Sequence, residues 1–188
     1  MAIFKITRHR KNLCDIFIIM NSYFNHEGGR NMKTVKVISL IALTMLLTAS
    51  LSIAAGHEVF KANLTGKDEV PAAMTKAGGE VTFKLSKDGK EMTYILKLRD
   101  IENVKAAHIH AGKMGEEGAV VVGLFGGPKK EGKFNGVLAK GTIIDANLVG
   151  PLAGKTIGDL VELLKSGGAY VNVHTDKYPG GEIRGQVK

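Results

Sequence analysis

Three histidines carry the chemistry this sequence could do. In His108-Ile109-His110 the imidazoles stand two residues apart. On a strand both therefore point to one face, and Ile109 points to the other. In Val171-Asn172-Val173-His174 the valines take one face, while Asn172 and His174 take the opposite one. Where two such strands lie side by side, three neutral ring nitrogens converge. That donor set suits copper or zinc, with a fourth position left open. One ion bonded to all three at ~2.0–2.1 Å would require the nitrogens to lie within ~4 Å of one another. The plainer reading of the same residues is polar positions at strand ends, hydrogen-bonded to backbone.

Other candidates are weaker. His57 would become an N-terminal chelate for copper only if a leader were cut just ahead of it. Met74, Met92 and Met114 could offer soft sulfur to Cu(I), but Met92 fits a core position and the other two fit loops. Glu116 and Glu117 lie in a Gly-rich segment after His110 and read most simply as a solvated turn. No Gly-x-Ser-x-Gly elbow, phosphate loop or His-Glu-x-x-His helix is present. A catalytic set is therefore not expected.

The elements that must position these residues are mostly strands. Glu80–Leu85 and Met92–Leu98 alternate polar and apolar, with a turn signal at Lys87-Asp88-Gly89-Lys90 between them. Further strands are expected at His57–Leu64, Val104–His110, Ala119–Phe125, Gly136–Ile144, Ala169–His174 and Glu182–Val187. About eight short strands with frequent Gly turns predict an all-β, antiparallel Greek-key sandwich or barrel. One short helix is expected at about 156–166. Ile157, Leu160, Val161 and Leu164 fall on one helical face, Thr156-x-x-Asp159 caps its start, and Gly167-Gly168 ends it. It should cover an open end or edge of the sheet.

The 188 residues carry 26 Lys+Arg against 18 Asp+Glu, a net charge of +8, with one Cys and no Trp. The charge is unevenly placed. Met32–Lys36 is a short basic stretch, 37–47 is an apolar run, and small residues follow to Gly56, the order of a secretory signal peptide. An uncleaved anchor is the rival, because 37–55 approaches the ~20 residues that span a bilayer; the Ser/Ala-rich end favours cleavage. Translation is expected to start at Met32, with 1–31 a spurious extension. Residues 1–56 hold seven basic and two acidic residues, which leaves 57–188 with 19 against 16, a net of +3. The working domain at 57–188 is thus only mildly basic. Its Lys and Arg are matched by acids, and a nucleic-acid surface is not expected. Its lack of Cys excludes a disulfide framework and any Cys-cluster zinc site.

Two segments resemble the signatures of the CHRD (chordin-type) domain. One is Ala107-His108-Ile109-His110-Ala111-Gly112 followed by Gly118–Val122. The other is Gly168–Thr175 followed by Tyr178-Pro179-Gly180-Gly181-Glu182-Ile183-Arg184-Gly185-Gln186. Leu64–Pro71 resembles the family's opening. The resemblance runs from about 58 to 187. It implies an exported β-rich module, periplasmic, secreted or at the cell surface, with a protein or metal partner. A role in cell-surface or matrix interaction is one alternative. Chordin's Cys-rich repeats are missing, so growth-factor binding is not implied. A looser resemblance links His108, His110 and His174, in order and local pattern, to the copper ligands of Cu/Zn superoxide dismutase. No His lies between His110 and His174 to bridge to zinc, and that family's disulfide is missing. Arg184 is a candidate counterpart of its active-site Arg, at a different spacing. This resemblance implies a mononuclear copper or zinc site, with a copper-dependent redox protein as the second reading.

Overall fold

Period-two alternation becomes an antiparallel sheet of seven strands. The structure, a computed structural model, describes residues 58–188. The expected extension at 1–31, the signal peptide at 32–56 and His57 lie outside the described residues. The strands are β1 (Val59–Thr65), β2 (Gly78–Leu85), β3 (Met92–Ala111), β4 (Val120–Phe125), β5 (Lys130–Ile143), β6 (Ala169–Thr175) and β7 (Ile183–Gln186). No helix among the described residues is long and apolar enough to cross a membrane.

β1, β2 and β3 follow one another as neighbours, and β7 returns to lie beside β1, which is Greek-key order. β6 joins β7 to the far half of β3. The ring β3-β2-β1-β7-β6 thereby closes into a five-strand barrel, and closure removes free strand edges from it. β5 and β4 pair along the other edge of β3. Phe83, Leu96, Ile101, Ile109 and Ile183 are among its fully buried side chains. Each contributes about 1.5–3 kcal/mol by leaving water.

Two of the expected strands, Met92–Leu98 and Val104–His110, are a single 20-residue strand, β3. The residues between them include no Gly or Pro to turn the chain. Asp100 and Asn103 instead adopt φ of 52° and 52°, a left-handed conformation that Asp and Asn tolerate best among non-glycines. The register against β5 shifts on either side of them, so they act as bulges. The consequence is a change of face. Met92, Leu96 and Leu98 are buried ahead of the bulges, whereas Ala107 and Ile109 are buried after them. Ile101 and Val104 are buried between these sets, so the inward face shifts by one residue three times, the third time in the register break between Val104 and Ala106. The odd number of shifts puts His108 and His110 on the outer face.

The helix α1 (Ile157–Lys165) forms where its periodicity placed it. Thr156 and Asp159 make the reciprocal capping box. Gly167, at φ 66°, donates to the Leu164 carbonyl, and Gly168 donates to that of Leu163. This is the paired closure of a Schellman end. Ile157, Leu160, Val161 and Leu164 are buried in the core, and Lys165 pairs with Glu58 at 3.0 Å just ahead of β1. The helix therefore packs at the end of the barrel where β1 begins.

Candidate metal centre

β3 and β6 are adjacent, with Ala106 opposite His174, His108 opposite Asn172 and His110 opposite Tyr170. Alternation sends all of these side chains to one shared face, polar except for Ala106. His108, His110 and His174 each offer a nitrogen there, all within 4.8 Å of one another. His108 Nδ1 and His174 Nε2 lie 3.1 Å apart, close to the separation of two nitrogens bonded to one ion. The widest separation exceeds the expected ~4 Å slightly, and small ring rotations of under about 1 Å close it.

The far nitrogens are fixed by backbone. His110 Nδ1 donates to the Gly118 carbonyl and His174 Nδ1 donates to that of Pro179, both at 2.9 Å. These bonds set the tautomer, so the Nε2 atoms present lone pairs to the cluster. His110 Nε2 is buried and has no hydrogen-bond partner. A buried acceptor left unpaired is costly, and an ion at the cluster would relieve that cost. Without an ion, His108 Nδ1–H donates to His174 Nε2. Burial pushes all three imidazoles below their ordinary pKa, and His108 falls to about 4, helped by His174 and His110 beside it. At neutral pH the three are uncharged, the form that ligates metal.

The remaining candidates take supporting positions. Tyr170 stacks on His110, with ring centroids 5.0 Å apart and planes 9° from parallel. Toward β7, the Arg184 guanidinium lies 3.3 Å from the Tyr170 ring centre. Arg184 Nη2 donates to the carbonyls of Lys113 and Glu116 at 3.0 and 2.7 Å. Tyr170 therefore separates Arg184 from His110, and the guanidinium holds the 112–118 segment. Glu116 also belongs to this segment rather than to the cluster, since its carboxylate accepts from Lys113 N–H. Gly118 N–H donates to the Tyr170 hydroxyl at 3.2 Å. Met92 is core; Met74 and Met114 are exposed loop residues.

A Cβ on Gly118 would collide with the Ala111 carbonyl. Gly118→Ala must therefore displace the carbonyl that orients His110. We expect about 1–3 kcal/mol of lost stability and about 10–100-fold weaker metal binding, measured by urea unfolding and by competition with a chelator.

Asn172 is 4% exposed and donates from Nδ2 to both oxygens of Glu69 at 3.0 and 3.2 Å. Gly181 closes over this pair at φ 144°, and a Cβ there would strike both side chains. Burial raises the Glu69 carboxyl from 4.5 to about 7, partly offset by Arg184. Folded Glu69 thus holds its proton more tightly than unfolded Glu69. Its contribution is fully present below pH 4.5 and is lost as pH rises to about 7. The histidines act oppositely, because their lowered pKa values favour the fold at higher pH. The difference between the wild type and Glu69→Gln isolates the carboxyl. Relative to the variant, the wild type should lose stability between pH 5 and 7.5 in urea unfolding. A constant difference across that range would refute the assignment.

Tyr170 was not among the expected site residues, although its alternation with Asn172 and His174 could have pointed to it. Gly118 and Pro179 act through carbonyls and leave no side-chain signal. Glu69 meets Asn172 from 103 residues away. The family model of the CHRD domain matches residues 60–187. No curated protein and no solved structure matches the chain.

Proposed function

The chain belongs to the CHRD domain family, and from that premise we propose that it is an exported, non-catalytic binding module with one mononuclear copper or zinc site. The domain is residues 57–188, and 32–56 is its signal peptide. His108, His110 and His174 hold the ion. The observation that carries this reading is the buried, unpartnered His110 Nε2 within a cluster in which the Nδ1 atoms of His110 and His174 are spent on backbone carbonyls. Carbonyl-fixed imidazoles are the usual support of metal-ligating histidines. Three neutral ligands leave a position open to a further donor.

One observation favours binding over a dismutase-like redox role. Arg184 is engaged with two carbonyls and stacked behind Tyr170, so it does not serve as an active-site Arg at the open position. Metal analysis of untagged protein purified from an export compartment tests the proposal. About one copper or zinc per chain is expected, as three converging ligands make one site. A metal-free protein that also fails to take up Cu²⁺ at micromolar concentration overturns it.

A further inference from the structure

The polar outer face continues past Tyr170 onto β7 and β1. Thr65 of β1 stands opposite Arg184, and the backbones of Lys61 and Lys188 exchange hydrogen bonds at 2.8 and 2.9 Å. A cleft of about 380 Å³ opens here, lined by Lys61, Asp68, Met114, Arg184, Gln186 and Lys188. The 112–118 segment divides it from the histidines. Gly118 serves His110 and Tyr170 on one side. On the other side, the carbonyls of Gly112, Lys113 and Glu116 accept from Gln186 and Arg184.

Arg184 is 3% exposed. Only its Nη2 is bonded to carbonyls, and among the described residues Nε and Nη1 have no acceptor. Neither atom is sealed from solvent. No carboxylate forms an ion pair with Arg184, Lys61 or Lys188 among the described residues. A nearly buried cation with unspent N–H groups, at a cleft flanked by two unpaired ammonium groups, is suited to a weakly hydrated guanidinium's preferred partners.

We propose that this cleft binds an oxyanion group, a carboxylate or a phosphate, with Arg184 as its anchor and Lys61 and Lys188 at its rim. Asp68 is the one acidic side chain in the lining and opposes the ligand. The cleft is separate from the histidines, so the proposal holds whether or not they carry a metal.

The test uses metal-free, ¹⁵N-labelled full chain in chloride buffer at constant ionic strength. Inorganic phosphate and succinate are titrated separately while the Arg184 Nε–H resonance is followed, assigned by its loss in Arg184→Lys. A saturable shift with either probe is expected, and the probe that saturates identifies the group. Lys61→Gln with Lys188→Gln should weaken binding about fivefold, and Asp68→Asn should tighten it about twofold. Both lysines and Asp68 are surface side chains, so these variants keep the test alive even if Arg184→Lys unfolds; calorimetric titration then supplies the readout. A response that rises linearly with both probes, or that is equal in the lysine variant, overturns the proposal.

Discussion

Replacing His108 by Ala is expected to weaken copper or zinc binding by more than about 100-fold. Losing a group that merely orients a ligand costs about 10–100-fold, and here a ligand itself is removed. His108 Nδ1 lies 3.1 Å from His174 Nε2, so the two form the tightest edge of the cluster. His174→Ala should have an equal effect, and the double variant should add little, because the remaining ligands cannot hold an ion alone. His108 is half-buried on the outer face and is not part of the apolar core, so the fold should survive the change. Chelator competition measures the affinity, and circular dichroism checks the fold. Retained affinity in either single variant would remove the three-histidine site.

Arg184→Ala should cost about 2–4 kcal/mol of stability, because it removes two hydrogen bonds from a charged donor that is nearly buried. It removes both donations to the carbonyls of Lys113 and Glu116, leaving that of Lys113 with only the Glu116 N–H. It also uncovers the Tyr170 ring and withdraws the cation that offsets burial of Glu69. The 112–118 segment then loses its clamp, and the Gly118 carbonyl no longer fixes His110. Metal affinity should fall about 10–100-fold although Arg184 is not a ligand. Arg184→Lys keeps the charge but loses the planar stack and the paired donation from one nitrogen, so it should fall between wild type and Ala. Urea unfolding supplies the stability change. A loss below about 1 kcal/mol, the ordinary scale of a surface pair, would show that the segment holds itself in place.

The sequence by itself determined the local geometry. Period two put His108 with His110, and Asn172 with His174 and Tyr170, because alternation on a strand is a property of the backbone. Period 3.6 and two cap signals placed α1 for the same kind of reason. What it could not determine was which face of the sheet the histidines occupy. Two separate strands were expected at Met92–Leu98 and Val104–His110, and each alternates consistently within itself. Joined in register, they would have carried His108 and His110 to the face that buries Leu96 and Leu98. The bulges at Asp100 and Asn103, with a third register break between Val104 and Ala106, shift the alternation an odd number of times and turn both imidazoles outward. The pairing of β3 with β6, the return of β7 beside β1, and the carbonyls of Gly118 and Pro179 at the rings were likewise decided only by the fold. Local alternation needs only neighbouring residues, whereas these contacts depend on how the whole barrel closes.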